Sequence, residues 1–144
     1  VCTPSLARVW VTTIAVAAWL VVLTVSDLRT HRLPNLLTLP PAAVIVLGAG
    51  VTGHGIAALT GGLVLAGAYL AVHLVSPAGL GAGDVKLALG LGALTGAVGT
   101  GVWVCAAIGA PVLTVAGALA CRRAAVPHGP GMCAATALAV IAAG

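Results

Sequence analysis

Asp27 and Asp84 are the chain's only carboxylates. Each stands at the edge of an apolar run. The first lies in Ser26-Asp27-Leu28-Arg29-Thr30-His31, the second in Gly81-Ala82-Gly83-Asp84-Val85-Lys86. An acid next to lipid is costly, so two of them at the mouths of apolar segments point to function. Two carboxylates brought within a few ångströms resist ionising together and share one proton. One then takes a proton from water while the other gives one to a carbonyl or a leaving amine. That is aspartic peptidase chemistry, and it calls for no metal and no cofactor. The chain contains no Glu, and no nucleophile–base pair is evident.

The elements that position these acids are set by composition. Hydrophobic residues make up 61% of the 144 residues and charged residues 6%. Mean hydropathy is +1.23. A soluble domain carries about 25% charged residues, so the expected fold is all-α, a polytopic bundle of membrane helices with the lipid bilayer as its solvent. The length fits one domain, 1–144. A net charge of +4 rests on six Lys and Arg residues. That is too few for a nucleic-acid surface and matches the basic-loop bias of membrane proteins. Cys2, Cys105, Cys121 and Cys133 form no C-x-x-C pair, so no zinc knuckle or other metal site is expected. The last three lie in apolar segments, where cysteine acts as a small hydrophobe. The first apolar run resembles a signal peptide, but Asp27 follows it and no A-x-A closes the run. It is expected to be a retained span.

A membrane helix needs about 20 apolar residues. Six spans are expected, near 6–26, 36–52, 56–76, 84–99, 100–121 and 131–144. The fourth and fifth abut, which leaves five spans as the rival count. Pro111 is an expected kink. Gly92 and Gly96 have the spacing that lets helix backbones touch, although glycine is frequent in membrane helices anyway. With six spans, Arg29, Arg32, Lys86, Arg122 and Arg123 fall on one side and Arg8 on the other. The richer side is assigned to the cytoplasm. Asp27, Asp84 and the segment Val126-Pro127-His128-Gly129-Pro130 then share that face.

Asp is also a favoured helix N-cap, and Asp84 precedes an apolar helix. A capping role therefore competes with catalysis. A small proton-coupled transporter would use membrane acids too, but usually near the midplane. A non-catalytic assembly subunit is the third possibility. Gly81 and Gly83 would let the backbone approach a substrate strand or take up positive φ. Lys86, two positions from Asp84, is expected to point away around the helix as a cytoplasmic anchor first. His31 and Arg32 are expected to be plain loop residues, and Arg122 and Arg123 stop-transfer charges. His54 and His73 are poor metal ligands. Trp10, Trp19 and Trp103 are expected to pack or to anchor at the interface.

Gly81-Ala82-Gly83-Asp84 resembles the G-x-G-D motif of polytopic aspartic peptidases. Its extension through Val85-Lys86-Leu87 is similar to the form found in the type IV prepilin peptidases. Asp27 followed by Leu33-Pro34-Asn35-Leu36-Leu37-Thr38-Leu39-Pro40 resembles the segment around that family's first acid. Val126-Pro127-His128-Gly129-Pro130 looks like its I-P-F-G-P segment, with His128 in place of the aromatic. The resemblance implies that Asp27 and Asp84 are catalytic. It implies that Gly81, Gly83, Lys86, Pro34, Asn35 and His128 bind substrate or shape the site. The implied reaction removes the basic leader from a prepilin or pseudopilin precursor at the cytoplasmic face of a prokaryotic inner membrane. Longer members carry a cysteine-bearing N-terminal region for N-methylation. This chain resembles the short, peptidase-only forms, and no such region is expected. His128 is expected to pack, and secondarily to act on a nearby acid.

Overall fold

A computed structural model describes residues 6–124 and 126–144, so Cys2 lies outside the described residues. They form six α-helices: α1 (Leu6–Thr30), α2 (Asn35–Val51), α3 (Gly55–Val75), α4 (Ala82–Val98), α5 (Thr100–Cys121) and α6 (His128–Ala143). The fold is an all-helical membrane bundle. α1, α3 and α5 are each long and apolar enough to cross a bilayer, and α2 and α6 are shorter apolar helices. Gly99 separates α4 from α5, so the six-element count holds over the five-span rival. Pro111 lies inside α5, which continues past it to Cys121. A proline ring removes one ladder hydrogen bond, and here that loss does not end the helix.

α4 is the central element. It packs against α2, α3, α5 and α6. Asp84, Leu87 or Ala88, Leu91 and Thr95 recur every three or four residues along one buried face, and Gly90, Gly92 and Ala93 are buried on its other sides. The Leu65–Leu87–Leu91–Met132 core cluster surrounds it. Most large apolar side chains elsewhere face outward, among them Leu6, Val51, Ile56 and Val75. That inside-out distribution is what lipid contact requires.

α3 and α4 share the most extensive packing, and glycine is the reason. A Cβ built on Gly92 would lie 2.6 Å from the Gly61 carbonyl oxygen, and one on Gly96 would lie 2.6 Å from that of Ala57. The G-x-x-x-G pair is thus a true backbone contact, and Gly61 is its partner on α3. Trp103 locks the same seam, its Nε1 donating to the Gly61 carbonyl at 2.9 Å. Gly61→Ala is expected to lower the thermal unfolding midpoint in detergent, by about 1–3 kcal/mol of overpacking. Gly67→Ala, on the same helix with open space around it, should leave the midpoint unchanged.

α1 rests chiefly on α6. Its buried residues Leu20, Leu23 and Asp27 form a single stripe. Trp19 ties it to α2 by donating Nε1 to the Leu37 carbonyl at 2.8 Å. Trp10 is exposed. The helix runs past Ser26, where the apolar run stops, and continues to Thr30. It ends at His31 with a left-handed φ of 49°.

Candidate active site

The C-terminal end of α1 meets the N-terminal ends of α4 and α6. Asp27 and Asp84 line one cavity of about 320 Å³ together with His31, Arg32, Leu33, Gly81, Ala82, Gly83 and Lys86. The two acids are 6% and 9% exposed, so both are withdrawn from bulk water yet open onto a shared space. Across this space Asp84 feels the charge of Asp27. Three segments far apart in sequence therefore converge at one end of the bundle.

Both acids are fixed in the same way. Asp84 is the third residue of α4, and its Oδ2 accepts the Gly81 N–H at 3.1 Å. The Asp84 N–H in turn donates to the Gly81 carbonyl at 3.1 Å. Asp84 is thus held by its own helix start. Asp27 is held across the bundle: its Oδ2 accepts the Gly129 N–H, from the first turn of α6, at 3.0 Å. Pro127, before α6, supplies no side-chain cap, so Asp27 serves one of that helix's orphan donors. Each carboxylate therefore sits at the positive end of a helix dipole. Each also keeps Oδ1 free of any hydrogen bond among the described residues. One anchored and one unengaged oxygen per acid is the arrangement a proton-exchanging pair needs.

Asp84 thus caps the start of its own helix and lines the cavity with the same side chain. The glycines behave differently from expectation. Gly81 has φ −74°, and positive φ among the described glycines occurs at Gly53 and Gly99. Gly81 and Gly83 are not there for positive φ. Gly83 is there for close approach: a Cβ on it would sit 3.1 Å from Leu33 Cβ, so it lets the start of α4 seat against the chain leaving α1. Gly129 matters more. A Cβ on it would overlap Asp27 Oδ2 and lie 3.0 Å from Asp27 Cγ.

Lys86 also departs from expectation. It lines the cavity, and its Nζ donates to Asn35 Oδ1 at 2.6 Å. A long side chain in the second turn of a helix leans back toward the helix start, so a two-residue offset from Asp84 does not send it away. The bond joins α4 to the first residue of α2, and Pro34 stands just before it as the N-cap residue. His31 and Arg32 are exposed loop residues, as expected, and also line the same cavity. Removing the Lys86–Asn35 bond is expected to cost about 1 kcal/mol of stability. Lys86→Met and Asn35→Ala should each show that loss in thermal unfolding in detergent. The double variant should be no worse than either, since the two act as one contact.

His128 packs as expected, and its partner is Tyr69 of α3. Tyr69 Oη and His128 Nε2 share a 2.8 Å hydrogen bond, with ring centroids 5.4 Å apart. His73, one turn on from Tyr69, donates Nδ1 to the Leu80 carbonyl beside the cavity. The sequence gives no sign of Tyr69 or His73 near the acids, because α3 is apolar all round and no face stands out. Cys105 and Cys121 are exposed and Cys133 is buried, all as free thiols.

No curated protein and no solved structure is matched significantly by the chain. A family model does match, over residues 14–121, which takes in both acids, most of α1 and all of α2 to α5. The family is described as the type IV leader peptidase family. With its all-helical membrane fold and a match across most of its length, the chain belongs to the type IV leader peptidase family.

Proposed function

We propose that this chain is an aspartic endopeptidase that removes the basic leader from prepilin or pseudopilin precursors at the cytoplasmic membrane face. The observation that carries the reading is the pairing of Asp27 and Asp84 on one cavity, each anchored through Oδ2 by a backbone amide. The family supports a peptidase acting on a precursor protein.

One carboxylate enters the reaction ionised and the other protonated. The ionised acid takes a proton from a water as its oxygen bonds to the scissile carbonyl carbon. The protonated acid gives its proton to the carbonyl oxygen. The tetrahedral gem-diol then collapses: the C–N bond breaks, the proton held by the first acid passes to the leaving nitrogen, and a diol hydroxyl returns its proton to the second acid as the new carboxyl group forms. Leu33, Gly83 and Lys86 line the wall against which the extended peptide would lie, and Asn35, next to Pro34, holds Lys86 there from outside the lining. The acids stand at helix ends, which suits hydrolysis at a membrane boundary better than transport at the midplane. Arg29, Arg32, Lys86, Arg122 and Arg123 cluster at the loops on this side, which supports a cytoplasmic site.

The test is direct. The purified protein in detergent is given a synthetic peptide with a basic leader, a glycine and an apolar helix, and products are read by mass spectrometry. Cleavage after the glycine is expected; in inverted membrane vesicles, a cysteine placed at position 123 of a variant with the native cysteines replaced by serine should label from the cytoplasmic side. An intact peptide, with proton-coupled solute flux in vesicles instead, would favour the transporter.

A further inference from the structure

Tyr69 and His128 have a geometry that the two acids do not by themselves require. α3 and α6 are not neighbours in the main helix packing, which pairs α3 with α2 and α4, and α6 with α1, α4 and α5. The bond between Tyr69 Oη and His128 Nε2, 2.8 Å long, spans them. Both side chains are half-buried. His128 is the first residue of α6 and the immediate neighbour of Gly129, whose buried N–H donates to Asp27 Oδ2. Tyr69 lies within electrostatic reach of Asp84. A single contact thus connects the surroundings of one acid to the amide that anchors the other.

The start of α6 needs such a tie. Its N-cap residue is Pro127, with no side-chain cap. The first turn of a helix lacks intrahelical acceptors for its N–H groups and frays without external partners. Asp27 takes the Gly129 donor. If this turn shifted, the Asp27 carboxylate would lose its anchor and its orientation toward Asp84.

We propose that Tyr69 and His128 are positioning residues that fix the first turn of α6, so that the Gly129 amide holds Asp27 in register with Asp84. The catalytic consequence rests on the peptidase reading above; the structural one does not. Neither side chain touches the reacting atoms in this account. Both act through Gly129.

The test uses the full chain in nanodiscs and reads two quantities. Hydrogen exchange at the Gly129 amide, followed by mass spectrometry, reports the anchor without reference to activity. Turnover of the leader peptide reports the consequence. Tyr69→Phe removes only the hydroxyl, and His128→Phe keeps a ring but loses the nitrogen. Each is expected to speed Gly129 exchange and to lower kcat by about tenfold, with KM within twofold. The double variant should match the singles. His128→Gln, whose amide can meet the Tyr69 hydroxyl, is expected to recover slow exchange and most of kcat. Unchanged exchange and kcat in Tyr69→Phe would overturn the proposal. A fall in kcat with Gly129 exchange unaltered would overturn it too, since Tyr69 would then act by another route. Faster exchange in the variants of a protein that cuts no leader peptide would support the tie and sink the peptidase reading instead.

Discussion

Asp84→Asn and Asp27→Asn are each expected to lower leader-peptide cleavage by about 10³-fold or more while the bundle stays folded. The contrast arises from what the amide keeps. Asn retains an Oδ acceptor, so the Gly81 N–H at position 84 and the Gly129 N–H at position 27 still have partners. The helix starts they satisfy should therefore survive, and the thermal midpoint should move little. What vanishes is the ability to carry a proton. Because the acids form one unit, the double variant should be no slower than either single variant. The rate of the unaltered protein should also describe a bell against pH. The working state holds one proton on the pair. Raising the pH removes it and leaves no general acid; lowering the pH protonates both and leaves no base. Residual cleavage above about a tenth in either Asn variant would remove that acid from the mechanism.

The sequence carried the architecture because hydropathy reports directly on bilayer residence. Six apolar stretches became six helices, with Gly99 between the two that abut. It carried the acids because any carboxylate in such a chain is conspicuous. Helix ends were less legible. Ser26 to Thr30 looks like a loop because it is polar, but polarity marks where a chain leaves lipid and not where its helix stops. α1 runs on to Thr30, with Thr30 Oγ1 bonded to the Ser26 carbonyl at 2.8 Å. α6 likewise starts at His128, three residues ahead of expectation. Contacts across the bundle were hidden for a different reason. The Lys86–Asn35 and Tyr69–His128 bonds join residues 51 and 59 positions apart. In lipid-facing helices the outer surface is as apolar as the core, so hydrophobic periodicity cannot say which face looks inward. The backbone amide of Gly129 had no signal of its own, since every residue but proline has one.

Gly129 gives the sharpest separation between this geometry and the G-x-G-D motif taken as a string. By motif, Gly81 and Gly83 are the glycines that matter. By space, the order reverses. A methyl on Gly81 would make an ordinary contact, 3.6 Å from Asp84 Oδ2, at a φ any residue accepts. One on Gly83 would press Leu33 Cβ at 3.1 Å, which a small shift of the loop can relieve. One on Gly129 would overlap the Asp27 carboxylate itself, with Cγ at 3.0 Å and Cβ at 3.3 Å. Relief there means rotating the acid away from Asp84 or lifting α6 off α1, and either breaks the 3.0 Å anchor. A misplacement of about 1 Å costs on the order of 100-fold in rate. Gly129→Ala is therefore expected to lose about 100-fold in kcat, Gly83→Ala a few-fold, and Gly81→Ala almost nothing. Circular dichroism and thermal unfolding in the same detergent separate misplacement from loss of fold. A Gly81→Ala enzyme slower than Gly129→Ala would mean that the first motif glycine works on the substrate side of the cavity, and that the amide from α6 does not set the position of Asp27.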